Sequence, residues 1–251
     1  MNETIRLMNR RCSTRSFAGT PLTAEERAAI LHTAMRAPTA GNMMLYSIIE
    51  IEDQATKDEL AITCDNQPFI ARAPWVLVFV ADYQKWTDLF DATDASGETP
   101  RRAPGPGDLM LACSDALIAA QNAVIAAESL GIGSCYIGDI MENGERVAEM
   151  LGLPAHTFPI AMLCFGRAAT DRPLVDRYER HVVHQDRYAR LTADQIAGAC
   201  EDLQHLHAPH GLPVGAGSYP QVVYRRKYDA EFTHELNRSV AFWLERWQQQ
   251  G

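Results

Sequence analysis

Apolar positions along the chain follow more than one rhythm. Short runs rich in β-branched and aromatic residues, YSIIEIE (Tyr46–Glu52) and WVLVFVA (Trp75–Ala81), predict strands, and FPIAMLCFG (Phe158–Gly166) predicts another. Helical spacing lies between them. TAEE (Thr23–Glu26) is a capping box, and the helix it opens runs through Ile30, Leu31, Ala34 and Met35, to end before Pro38. DQATKDELAITC (Asp53–Cys64) predicts a short helix capped by Asp53, and NGERVAEMLG (Asn143–Gly152) predicts another helix. LMLACSDALIAAQNAVIAAESLG (Leu109–Gly131) is the most apolar stretch. Asp115, Gln121, Asn122 and Glu128 interrupt it, which reads as a buried helix rather than a membrane span.

Strands separated by helices indicate an α/β or α+β layer around a central sheet. Residues 200–222 read as a His/Gly/Pro-rich connection with little periodicity. Beyond it, Phe232, Leu236, Val240, Trp243 and Trp247 form one apolar helical stripe. Such a stripe packs either on its own domain or on another subunit; the pattern leaves both open. There is no internal repeat.

Composition narrows the function classes. Of 251 residues, 47% are hydrophobic and 22% charged, the profile of a soluble globular protein. A net charge of −9 argues against general affinity for nucleic acid or anionic lipid, yet leaves room for a small anion at a local basic patch. The six cysteines include no C-x-x-C pair and sit in apolar stretches. That is the usage of reduced thiols in a cytoplasmic protein, with neither a zinc site nor a disulfide framework. The N-terminus MNETIRLMNRR lacks the apolar core of a signal peptide.

One basic patch stands out. NRRCSTRSFAG (Asn9–Gly19) interleaves Arg10, Arg11, Ser13 and Arg15 with Cys12, Thr14 and Phe17. Guanidinium forks and a hydroxyl suit a phosphate, and the apolar residues between them suggest a partly buried segment. APTAGN (Ala37–Asn42) is a small-residue loop that lets backbone approach a flat ligand, or is simply a helix-to-strand turn. GIGSCYIGD (Gly131–Asp139) has the wrong context for a dinucleotide fingerprint and reads as a helix C-cap followed by a short extended run. HLHAPH (His205, His207, His210) lies in a loop without neighbouring acids or cysteines, which disfavours a metal site. No nucleophile elbow, H-E-x-x-H or P-loop occurs.

In order, RCSTRSF (Arg11–Phe17), RAPTAGN (Arg36–Asn42), NQPFIARAP (Asn66–Pro74), AAESLGIGSCYIGDI (Ala126–Ile140) and FGRAATDRPLVDRYERHVV (Phe165–Val183) resemble the motifs of the FMN-dependent nitroreductase family. The resemblance implies an α+β fold with a central mixed sheet flanked by helices. It also implies a single domain over residues 1–251 whose C-terminal extension, 200–251, ends in the amphipathic helix. An intertwined homodimer would carry FMN at the subunit interface. Arg11, Cys12 and Ser13 would lie at the FMN phosphate with Arg177, and Arg15 at the pyrimidine edge of the flavin. Thr39 and Asn42 would flank the cofactor, with an amide from Gln67 or Asn66 near the ring. Backbone at Ile137 and Gly138 would face the flavin N5. NADH or NADPH would reduce the flavin and an electron-poor acceptor (nitroaromatic, quinone or enone-like) would be reduced in turn, in ping-pong order. No metal, nucleic acid or membrane enters.

Two departures stand out. Met43, Met44, Leu45 and Tyr46 replace a more polar family segment, which bears on the substrate side, and Cys12 stands where Arg or His is common. The altered segment keeps two other readings in view: a flavin-binding carrier or sensor without turnover, and a specialised relative performing, for example, reductive dehalogenation. The loop Asp91–Asp108 is the lid candidate for the latter, and PRRAP (Pro100–Pro104) is a candidate contact for a nucleotide 2′-phosphate.

Overall fold

A four-stranded sheet forms the middle of the chain because three apolar runs and one short edge run are long enough to pair across it. The computed structural model describes residues 1–94, 97, 102–171, 173–212 and 214–249. In chain order the elements are α1 (Glu3–Arg10), α2 (Ala24–Met35), β1 (Tyr46–Ile51), α3 (Gln54–Thr63), α4 (Pro68–Ala71), β2 (Trp75–Asp82) and α5 (Gln84–Thr93). They continue with α6 (Pro106–Ser129), β3 (Gly133–Ile137), α7 (Gly144–Met150), β4 (Thr157–Gly166), α8 (Ala193–His207), α9 (Tyr219–Val223) and α10 (Glu231–Trp247). Contacts divide them into two compact units, Met1–Pro173 with Glu235–Gly251, and Leu174–His234.

In the first unit the strand order is β1-β2-β4-β3, and each neighbouring pair is antiparallel. The expected mixed sheet is therefore corrected to an antiparallel one. Strand direction is set by where each connection returns to the sheet, and local sequence pattern does not encode that. Among the described residues the parallel pairing is a single bridge outside the strands, Ser13 to Ser134. β2 is buried on both faces. Trp75, Leu77 and Phe79 join one core with α2 and α6, while Val76, Val78 and Val80 join the other with α3, α7 and α10. The ladder between β2 and β4 slips between Phe79 and Val80, where Pro159 stands opposite. Proline has no N–H to give a central strand, and a bulge accommodates it.

α6 runs under the sheet on its small residues: Ala112, Ala116, Ala119, Ala120, Ala123 and Ala127 are buried. By length and composition it is able to cross a membrane, but half of its most apolar window is buried within the fold. Its other side leaves Met110, Leu111, Leu117 and Ile118 exposed.

The apolar stripe of α10 packs on its own unit. Trp243 and Trp247 are fully buried, and their indole N–H groups donate to the carbonyls of Met141 (3.0 Å) and Gly105 (3.1 Å). Gly144, at the start of α7, is needed there. A Cβ on it would stand 2.6 Å from the Phe242 ring and 2.8 Å from both Ser239 Oγ and Trp243 Nε1.

The second unit differs from its expected character. α8 carries helix through His207, so residues 200–207 are not an aperiodic connection. Thr192 and Gln195 form a capping box that starts this helix, and His205 and His207 occupy its last turn, where a helix end favours them.

Candidate functional site

The basic stretch is fastened to the outer edge of β3. α1 ends at Arg10, which is exposed at the helix end. The chain then turns along β3: Thr14 N–H donates to the Ser134 carbonyl at 2.8 Å, and Ser13 bridges Ser134. Further on, Ala18 donates to Arg167 O (2.8 Å) and Ala169 donates to Ser16 O (3.0 Å). Thr14 is buried and Phe17 packs on the core, while Ser13 and Arg15 stay exposed. Gly166 makes room for this crossing, since a Cβ there would meet Phe17 Cδ1 at 2.7 Å.

The result is a convergence on one point. Burial pushes the Cys135 thiol up, and Arg15, a hydrogen bond with Ser13, and Arg11 all pull it back down. Three side chains of the stretch thus act on the same β3 sulfur. Among the described residues neither Arg11 nor Arg15 has a carboxylate partner, whereas Arg167 pairs with Glu26 at 2.6 Å. Cys12, half-buried, lies between them in the chain. The Ser134 hydroxyl is fully buried and finds no partner among the described residues.

The loop after α2 is built around a carboxylate that the sequence did not mark as functional. Asp115, 3% exposed on α6, accepts from the Thr39 hydroxyl, from Ala40 N–H (3.0 Å to Oδ1) and from Leu45 N–H (3.2 Å to Oδ2). Thr39 Oγ1 in turn accepts from Met44 N–H at 2.8 Å, so its hydroxyl is committed within the loop. The backbone is left-handed at Gly41 (φ 57°), Asn42 (φ 58°) and Met44 (φ 50°). Such conformations strain a residue like Met44 and persist where neighbours over-determine them. Trp86 adds one such constraint, donating from Nε1 to Met43 O at 2.8 Å. Asn42 is exposed. Of the Met43–Tyr46 departure, Leu45 and Tyr46 are buried and Tyr46 opens β1, while Met43 and Met44 are half-buried against opposite cores.

Asn66 and Gln67 meet the end of β3. Asp65 and Asn66 are left-handed (φ 56° and 49°), which turns the chain from α3 into α4. Gln67 Nε2 donates to Asp139 Oδ2 at 2.6 Å and to the Cys64 carbonyl at 3.0 Å. This brings the Asn66–Gln67 turn against Ile137, which is buried, and Gly138, which is exposed and surrounded by open space. Behind them lies Glu142, 3% exposed. Burial, together with Asp139, Asp65 and Glu235, pushes its carboxyl up to about 8.

Arg177 belongs to the second unit, exposed in a stretch without regular structure. Of PRRAP, Pro100 and Arg101 lie outside the described residues, and Arg102 is bound to Asp108 (2.9 Å from Nη2 to Oδ1). Most of the lid candidate between Asp94 and Arg102 also lies outside them; its ends belong to α5 and α6. Among the described residues no cluster of three metal-ligating side chains forms.

Comparison with known proteins gives one answer. A nitroreductase family model matches residues 8–167. The oxygen-insensitive NADPH nitroreductase of Salmonella typhimurium is 33% identical over 213 residues, 84% of this chain and 85% of that protein. The NADPH-flavin oxidoreductase of Vibrio harveyi is 30% identical over 209 residues, 83% and 84% respectively. Among solved structures, nitroreductase A of Vibrio parahaemolyticus superimposes with a TM-score of 0.80 at 26% identity, covering 97% of this chain and 98% of that one. The NADPH:FMN oxidoreductase of Vibrio harveyi complexed with NAD+ gives 0.78 at 25% identity, covering 98% of each.

Proposed function

Because the chain belongs to the nitroreductase family, we propose that it is an FMN-dependent oxidoreductase that takes reducing equivalents from NADH or NADPH and passes them to an electron-poor small molecule. The observation that carries this reading is the convergence of Arg11, Ser13 and Arg15 beside Cys135, with neither guanidinium in an ion pair among the described residues. Guanidinium forks next to a hydroxyl form a phosphate donor set, and the Ser134 hydroxyl beside Ser13, without a partner among the described residues, adds a polar atom in the same place.

In this reading Arg11 and Ser13 hold the FMN phosphate, and the chain at Cys12 lies against it. Arg15 serves the pyrimidine edge, where a fixed cation stabilises negative charge. The Thr39–Asn42 loop flanks the ring, its shape held by Asp115. Gln67 or its neighbour Asn66 supplies an amide near the ring, and the backbone at Ile137 and Gly138 faces the flavin N5. When bound, FMN supplies the hydride chemistry between the nicotinamide and the acceptor; the protein supplies position and electrostatics. The exposed apolar side of α6 supports assembly as a homodimer.

The test is FMN affinity, read from quenching of flavin fluorescence by apoprotein. Wild type binds stoichiometrically, and Arg11→Ala weakens binding by roughly tenfold or more, the scale of a lost charge-assisted contact. Wild-type apoprotein that leaves the fluorescence unchanged rejects the reading.

A further inference from the structure

Gln67 has one hydrogen-bonding option left. Its amide nitrogen donates one hydrogen to the Cys64 carbonyl at 3.0 Å and the other to Asp139 Oδ2 at 2.6 Å. Both partners are oxygens that accept, so turning the amide over would set oxygen against oxygen at two places. The flip of this side chain is therefore fixed by its partners. Its backbone is fixed as well: Gln67 N–H donates to Ala61 O at 2.7 Å, at the entry to α4. The one polar atom still open is Oε1, which only accepts.

We propose that Asp139 is a positioning residue that locks Gln67 so that the site offers an acceptor, and never a donor, to a ring N–H of the bound flavin. This rests on the FMN reading and goes beyond it by assigning the polarity of the contact. The oxidised isoalloxazine has one ring N–H, at N3, between two carbonyls. An amide held the other way would meet those carbonyl oxygens instead. The locked amide selects the N3–H and disfavours a ring slid by one position, which would bring two acceptors together.

The surroundings of Asp139 hold it to this task. Glu142 lies on the same turn, buried, and its backbone N–H donates to Asp139 O at 3.0 Å. Burial and the neighbouring Asp139, Asp65 and Glu235 push its carboxyl up to about 8, which favours the protonated form beside Asp139. Glu235 is itself engaged by Arg238 at 2.8 Å. Asp139 thus accepts from Gln67, with the buried Glu142 carboxyl beside it.

The experiment is a double-mutant cycle on FMN affinity, with apoprotein titrated by fluorescence quenching. Asp139→Leu and Gln67→Leu each weaken FMN by about tenfold, the usual scale of one hydrogen bond in a dry site. The double variant is no weaker than either single one, because Asp139 acts through Gln67. Asp139→Asn keeps an acceptor oxygen and restores binding to within about threefold of wild type. FMN methylated at N3 binds wild type more weakly than FMN, and Gln67→Leu levels the two. Asp139→Leu with wild-type affinity, losses that multiply in the double variant, or equal binding of the two flavins by wild type overturns the assignment. If FMN binds wild type while Asp139→Leu changes nothing, only this inference falls; if wild type binds no FMN, both readings fall.

Discussion

The Asp115 carboxylate, buried on α6, accepts the hydroxyl hydrogen of Thr39 from a loop 76 residues away in sequence. The same carboxylate takes the amides of Ala40 and Leu45, so one side chain holds both ends of the loop that turns from α2 into β1. Thr39, expected to flank the cofactor, has its hydroxyl spent on Asp115 and Met44; what the loop presents outward is backbone and Asn42.

Removing this acceptor strands three donors, two of them backbone amides. Asp115→Ala is expected to lose about 3 kcal/mol of stability, since each buried unsatisfied group costs roughly 1–3 kcal/mol and some regain water. In a chain of this size that lowers Tm by roughly 6–12 °C. Asp115→Asn, which keeps one acceptor oxygen, falls between. Thermal unfolding of the two variants checks this, and a wild-type Tm for Asp115→Ala would show that the loop does not depend on the carboxylate.

Glu142 predicts a pH dependence with a definite sign. Its folded carboxyl sits at about 8 against an ordinary 4.5, raised first by burial and then by Asp139, Asp65 and Glu235. Between those values the folded chain keeps a proton that the unfolded chain has released. Stability from this group is therefore full below about 4.5 and is lost as pH rises through about 8, by at most about 1.4 kcal/mol per pH unit. Glu142→Gln cannot ionise and should flatten that fall. Denaturant unfolding at pH 5, 6.5, 8 and 9 reads the difference; parallel pH profiles for the variant and wild type would contradict it.

The uncovered side of α6 carries Met110, Leu111, Leu117 and Ile118, two pairs seven residues apart and so on one face. A homodimer through this face predicts a solution mass of twice the 27.9 kDa chain by light scattering. Leu117→Glu with Ile118→Glu should drive it towards the monomer. A monomeric wild type, or a dimer untouched by both charges, would put the interface elsewhere.

Much of this was legible in the sequence, and the reasons are local. Capping side chains at Thr23 and Asp53 and the apolar runs of β2 and β4 signal their elements without help from distant residues. α8 carried a readable signal too, the Thr192–Gln195 capping box, obscured by the His/Gly/Pro content that follows. The basic stretch was readable because Thr14 and Phe17 are interleaved with Ser13 and Arg15, the mark of a partly buried segment.

What was not legible depends on through-space pairing. Asp115 announced itself only as one of two acids in an apolar stretch, and nothing nearby in sequence names Thr39 as its partner. Asp139 and Glu142 look like ordinary turn residues until α3 and α10 bring Gln67, Asp65 and Glu235 beside them. The antiparallel sheet belongs to the same class, since direction follows from the return path of each connection.

Turnover of bound FMN by this chain is read from the visible spectrum of the FMN-loaded protein titrated with NADH and then NADPH without oxygen. At least one nicotinamide is expected to bleach the flavin band within seconds, and a quinone or nitroaromatic to restore it. A flavin band that persists with both nicotinamides would contradict this and leave a flavin-binding protein without turnover.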